Sequence, residues 1–102
     1  SFLSILKPFG EASPGLLSFP RPGLTISLDL PAPGADLIEV VNRLDQIVLR
    51  HAGSVYLAKD SVITRDQFDA MYPRLEEFRR LRHEVDPQGR FRSVQSARLG
   101  LS

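Results

Sequence analysis

The sequence predicts an α+β protein: a small antiparallel sheet packed by one long helix, followed by a helical C-terminal segment. Three observations carry this reading. Leu24, Ile26, Leu28 and Leu30 alternate with Thr25, Ser27 and Asp29, the period of two of a half-buried strand. Leu37, Val40, Val41, Leu44, Ile47 and Val48 recur at helical spacing and form one apolar stripe. The order strand, strand, helix, strand, with further helices behind it, is that of α+β architectures.

The first strand is expected over Phe2 to Lys7, and Gly10 to Gly15 is the most loop-like stretch of the chain. Pro20, Pro22 and Gly23 precede the second strand, and Pro31, Pro33 and Gly34 stop it. Its alternation predicts one face on a core and the other on solvent or a cavity. The long helix opens with Asp36 and Glu39 in a capping-box pattern, and Gly53 is placed to end it. Ser54-Val55-Tyr56-Leu57-Ala58-Lys59 reads as a short third strand. Thr64 and Gln67 form another capping-box pattern, opening a helix that buries Phe68, Met71 and Tyr72. Pro73 suits the first turn of a further helix presenting Leu75, Phe78, either Leu81 or Arg82, and Val85. Asp86-Pro87 halts that helix, because a residue before proline avoids the helical region. The tail, Gln88 to Ser102, has no clear period and reads as a docked arm or a frayed end.

Composition narrows the function. Thirteen Lys and Arg against twelve Asp and Glu leave a charge of +1, so no overall field recruits nucleic acid or an acidic membrane surface. Without cysteine there are no disulfides, thiolate nucleophiles or Cys-type zinc sites. No apolar run approaches the roughly 20 residues of a membrane span, and no charged-then-apolar leader opens the chain. The expectation is a cytoplasmic protein. The chain begins Ser1-Phe2-Leu3-Ser4-Ile5 without an initiator Met and already in a strand, so a piece of a longer protein is expected.

Few side chains compete for chemistry. His51 and His83 fall near expected helix C-termini, where imidazole complements the dipole, and neither has the spaced partners of a metal site. Arg79, Arg80, Arg82, Arg90, Arg92 and Arg98 are interleaved with Glu76, Glu77, Glu84 and Asp86, which suits helix-surface ion pairs better than a nucleic-acid face. No Gly-rich phosphate loop is present. Arg outnumbers Lys eleven to two, which singles out Lys7 and Lys59. Lys59 ends the string Tyr56-Leu57-Ala58-Lys59-Asp60. Strand alternation puts Tyr56 and Lys59 on opposite faces, but at a strand end the chain can turn and bring them together; equally, such a lysine can snorkel to solvent.

An ordered set of motifs gives that string a context: Ser18-Phe19-Pro20-x-Pro22-Gly23, Leu28-Asp29, Tyr56-x-Ala58-Lys59-Asp60, Ala70-Met71-Tyr72-Pro73-Arg74, Val85-Asp86-Pro87, Phe91-Arg92-Ser93 and Ala97-Arg98-Leu99. Together they resemble the C-terminal part of FAD-linked oxidases of the vanillyl-alcohol oxidase type, nearest the decaprenylphosphoryl-ribose 2-oxidase branch and the aldonolactone and alditol oxidases. The resemblance implies that residues 1–53 end a substrate domain and that 54–102 return to an upstream flavin-binding domain. It implies FAD as cofactor, a sugar, polyol or lactone hydroxyl as substrate, and hydride transfer to the flavin. Lys59 matches the lysine that reaches the flavin ring and substrate pocket, where a cation offsets the charge the ring gains. Tyr56 matches the neighbouring tyrosine, and Thr25 and Ser27 match substrate-pocket positions. That branch carries cysteine, asparagine and tryptophan where this chain has Ser27, Thr25 and Leu24, so a changed pocket is expected. Without the upstream phosphate-binding loops the 102 residues are expected to be inactive alone, and an uncovered apolar surface makes self-association an expectation. The alternative is a non-catalytic α+β module that binds a protein partner through an exposed helical face.

Overall fold

A computed structural model describes residues 3–31 and 35–102. Strands β1 (Leu3–Phe9) and β2 (Gly23–Asp29) form an antiparallel ribbon, the one sheet among the described residues. Helix α1 (Ala35–Arg50) follows, then a 3-10 turn at Leu57–Lys59, and then α2 (Arg65–Met71), α3 (Leu75–Val85) and α4 (Val94–Arg98). The class is α+β, as the sequence predicts. Phe2, Pro33 and Gly34, which the sequence reading placed at strand and turn ends, lie outside the described residues.

The core is built from the C-terminal half. Ile63, Phe68, Met71, Tyr72, Leu75 and Leu99 are buried together, with Leu17, Val48, Leu49, Val55, Leu57 and Leu101 packed against them. Helix α2 delivers Phe68 and Met71 from a capping box: the Gln67 amide donates to Thr64 Oγ1 at 3.2 Å and the Thr64 amide donates to Gln67 Oε1 at 2.9 Å. The tail is a docked arm. A Ser93–Ser96 box caps α4, and Leu99, fully buried, plugs it into the core.

Four local expectations change. The third strand is not formed: the Val55 carbonyl accepts from Tyr72 Oη at 2.6 Å, and the Lys59 amide donates to the Tyr56 carbonyl at 3.0 Å, so the groups a ladder would need are satisfied locally. Helix α1 begins at Ala35, which places Asp36 inside the first turn rather than at a cap, and Glu39 pairs instead with Arg43 at 2.8 Å. The helix stops with Ala52, not Gly53, in the left-handed conformation (φ 54°). The Gly53 amide reaches back to the Val48 carbonyl at 2.8 Å and the Ala52 amide to that of Leu49 at 3.0 Å. Gly53 is needed for close approach, since a Cβ there would lie 2.6 Å from Val48 Cγ1. Helix α3 begins at Leu75, one turn-residue beyond Pro73-Arg74, and turns Leu75, Phe78 and Arg82 inward while Leu81 and Val85 stay exposed.

The apolar face of β2 does not meet this core. Pairing sets Leu6 opposite Ile26, Pro8 opposite Leu24 and Ser4 opposite Leu28, all on one ribbon face, with Leu24 73% and Ile26 63% exposed. Two strands alone cannot enclose a core. Val40, Leu44 and Ile47 are likewise exposed along α1.

Candidate functional site

The segment between α1 and α2 is tacked to the core at its start. Ser54 Oγ donates to the Met71 carbonyl at 3.1 Å, and Tyr72 holds Val55. Burial pushes the Tyr72 phenol up to about 12, so this tyrosine serves as a neutral structural donor. Beyond Val55 the backbone winds into the 3-10 turn. Lys59 ends this turn and Tyr56 immediately precedes it, the Tyr56 carbonyl accepting from the Lys59 amide. Both are exposed, and among the described residues no group pairs with the Lys59 ammonium.

Thr25 and Ser27 lie on the second face of the ribbon. Ser27 pairs with Ile5 and Thr25 with Lys7, and both hydroxyl residues are half-buried. Lys7 shares this face, its ammonium 5.4 Å from the centre of the Phe9 ring. Three rings then bridge the ribbon to the turn: Phe9 meets Phe19 edge-on at 5.7 Å, and Phe19 meets Tyr56 at 5.1 Å. The loop carrying Phe19 is itself tied down. Arg21 donates to the Ala52 carbonyl, Arg74 donates to the Pro14 carbonyl at 3.2 Å, and Leu17 packs on the core. The structure therefore connects Tyr56, and through it the turn that ends at Lys59, with the Thr25–Ser27 face through an aromatic run. An open surface concavity of about 570 Å³ lies elsewhere, between α1 and the start of α2, and none of these four residues lines it.

Sequence reasoning missed two contributions. Phe19 sits within a quoted motif, but only the fold shows that its ring links two sites. Asp60 and Arg98 also belong to quoted motifs, yet they form a 2.7 Å ion pair across 38 residues, with the Asp60 side chain 2% exposed. Asp60 Oδ1 accepts from the Val62 and Ile63 amides at 2.9 and 2.8 Å. Burial alone would raise the Asp60 carboxyl, but the Arg98, Ile63 and Val62 hydrogen bonds outweigh it and hold the carboxyl below the usual range. Asp45, on the face of α1 toward this loop, shows the reverse. Burial, then the nearby Asp60 charge, pushes its carboxyl up, and Asp45 Oδ2 is buried without a partner among the described residues.

The arginine-rich surface is occupied by acids. Arg79 pairs with Glu76 at 2.6 Å and with Asp69 across to α2 at 2.7 Å, and Arg74 pairs with Glu77 at 3.0 Å. His51 follows α1 and His83 lies in the last turn of α3, both exposed. No described helix is long and apolar enough to cross a membrane.

Residues 37–99 match the family described as D-arabinono-1,4-lactone oxidase. Over 101 residues, 99% of this chain and 22% of the relative, the sequence is 46% identical to a decaprenylphosphoryl-beta-D-ribose oxidase of Mycolicibacterium smegmatis. It is 47% identical over 97 residues to a Streptomyces coelicolor protein described as an uncharacterized protein in the mprA 5' region, covering 95% of this chain and 26% of that one. The chain thus spans about a quarter or less of the length of these relatives.

Proposed function

Because the chain belongs to the D-arabinono-1,4-lactone oxidase family, we propose that it is the C-terminal part of an FAD-dependent oxidoreductase. The reaction we propose is oxidation of a sugar, polyol or lactone hydroxyl by hydride transfer to flavin. Residues 1–53 would close the substrate domain and 54–102 would return to the flavin-binding domain. The observation that supports this reading is that Tyr56 and Lys59 are exposed at the two ends of one short turn, and that the Tyr56, Phe19 and Phe9 rings join this turn to the ribbon that holds Thr25 and Ser27.

The residues fit one edge of FAD and not the whole of it. An ammonium without a partner among the described residues and an exposed phenol beside it on one turn suit a polar ring edge. No described segment offers a Gly-rich cradle for the pyrophosphate, which the upstream domain would supply. Bound here, flavin would supply the acceptor for the hydride that leaves the substrate carbon, the hydroxyl proton passing to solvent. Lys59 would bring positive charge to the ring edge where negative charge develops. Tyr56 donates a hydrogen bond beside it. The Thr25 and Ser27 hydroxyls, each both donor and acceptor, orient the substrate's hydroxyl groups and exclude water from the ribbon side.

The test is Lys59→Ala in the full-length protein, followed by anaerobic stopped-flow of flavin reduction. Loss of one positioned electrostatic group should slow reduction by about 10²-fold or more. An unchanged rate with normal flavin content would remove Lys59 from the mechanism.

A further inference from the structure

The Lys59 ammonium has no partner among the described residues, yet its backbone is held on both sides. Helix α4 touches the turn at both of its shoulders. Gln95 Nε2 donates to the Leu57 carbonyl at 2.7 Å, on the N-terminal side, and Arg98 donates to Asp60 Oδ2 at 2.7 Å, on the C-terminal side. Arg98 also donates to the Ile63 carbonyl. Gln95 and Arg98 are one helical turn apart and so project from one face of α4; Leu57 and Asp60, also three apart, bracket Ala58 and Lys59. Asp60 completes the grip by accepting the Val62 and Ile63 amides. The gripping helix is itself fixed: Ser93 and Ser96 cap its start, and its end closes with Gly100 at φ 68° and the Leu101 amide on the Ser96 carbonyl at 2.8 Å. Leu99 anchors it in the core.

We propose that α4 is a positioning clamp for Lys59, with Gln95 and Arg98 as the positioning residues. This role rests on the reading that Lys59 serves the flavin reaction, while the clamp itself can be tested apart from it. A mobile lysine would spend part of the reaction barrier on being ordered; held at both shoulders, its point of attachment is preorganised and only the side chain must settle.

The decisive measurement is hydrogen exchange at the Lys59 amide, which bonds the Tyr56 carbonyl, in the full-length flavin-loaded protein. Gln95→Leu keeps the size of the side chain and removes its donor. It should speed exchange at Lys59 by about tenfold, the worth of one hydrogen bond, while the Phe68 amide in α2 keeps its protection. Arg98→Lys should do the same, with the loss confined to residues 57–63, and Gln95→Glu, which cannot donate, should match Gln95→Leu. Unchanged exchange at Lys59 in Gln95→Leu, or equal loosening of Lys59 and Phe68, overturns the clamp. Flavin reduction on the same samples separates the two ideas. A loosened Lys59 amide with slower reduction supports the clamp; a loosened amide with normal reduction overturns it as a positioning device, while the catalytic reading of Lys59 stands or falls separately with Lys59→Ala.

Discussion

Asp45 and Asp60 are two aspartates in one neighbourhood with opposite fates. Asp60 is ringed by donors, so its ionised form is favoured in the folded state. Its contribution is present above the ordinary aspartate range and is lost as pH falls through its lowered value. Asp45 has a buried oxygen with no donor among the described residues, and its carboxyl is raised. Its stability contribution is therefore complete below about 3.8 and disappears as pH rises through the raised value. Asp45→Asn should stabilise the protein at pH 7 by about 1 kcal/mol, with the gain shrinking towards pH 3.5; urea unfolding at both pH values measures it. Ala52 is the other strained residue. With an alanine at φ 54° the α1 terminus bears a cost that Gly100 spares α4. Ala52→Gly should raise stability by about 0.5–1 kcal/mol. Gly53→Ala should lower it, because its Cβ would meet the Val48 carbonyl oxygen at 2.9 Å; urea midpoints of the two variants should move in opposite directions.

At the scale of elements, α4 shows how tertiary contacts override weak local signals. A five-residue helix does not persist alone; it exists because Leu99 is fully buried and its polar face grips the Lys59 turn. Leu99→Ala should lower the thermal midpoint by roughly 10 °C or more in a circular dichroism melt. No period in Gln88–Ser102 revealed this helix, because one turn is too short to display one. Longer or chemically punctuated elements were legible: α1 from its stripe, α2 from Thr64 and Gln67, the end of α3 from Asp86-Pro87. Asp86 has a further duty that its position before proline does not reveal. The Arg90 and Phe91 amides donate to its carboxylate and hold it below the usual range, organising the turn into the tail. The 54–59 segment misled for a physical reason. Its apolar alternation is that of a strand, whereas Tyr72 and the Tyr56–Lys59 bond, both decided by three-dimensional neighbours, made it a turn. Thr25 and Ser27 were recognisable as a polar face from alternation alone.

The whole molecule spreads more widely than its mass requires. Its accessible surface is 7505 Å², against about 5,800 Å² for a compact chain of this mass, and its radius of gyration is 14.8 Å, against about 13 Å. The excess coincides with apolar residues on the outer ribbon face and along α1, the kind of surface that another part of a protein covers. Under the proposed function the described residues would serve one flavin edge only, so the 102-residue chain by itself should bind FAD more weakly than micromolar. Equilibrium dialysis of the purified chain checks this, and a micromolar complex retaining flavin absorbance would contradict it.

The three-ring bridge gives the site an unequal stiffness. The hydroxyl face is set by a hydrogen-bonded ladder and the lysine by its turn, so each half is rigid. Between them, Phe9, Phe19 and Tyr56 meet through ring edges and faces, contacts that tolerate sliding at far lower cost than a ladder does. The ring contacts of Phe19 are thus the joint between the two halves, on a loop that Arg21, Arg74 and Leu17 hold in place. Under the proposed function, a change in substrate girth would be taken up at that joint rather than within either half.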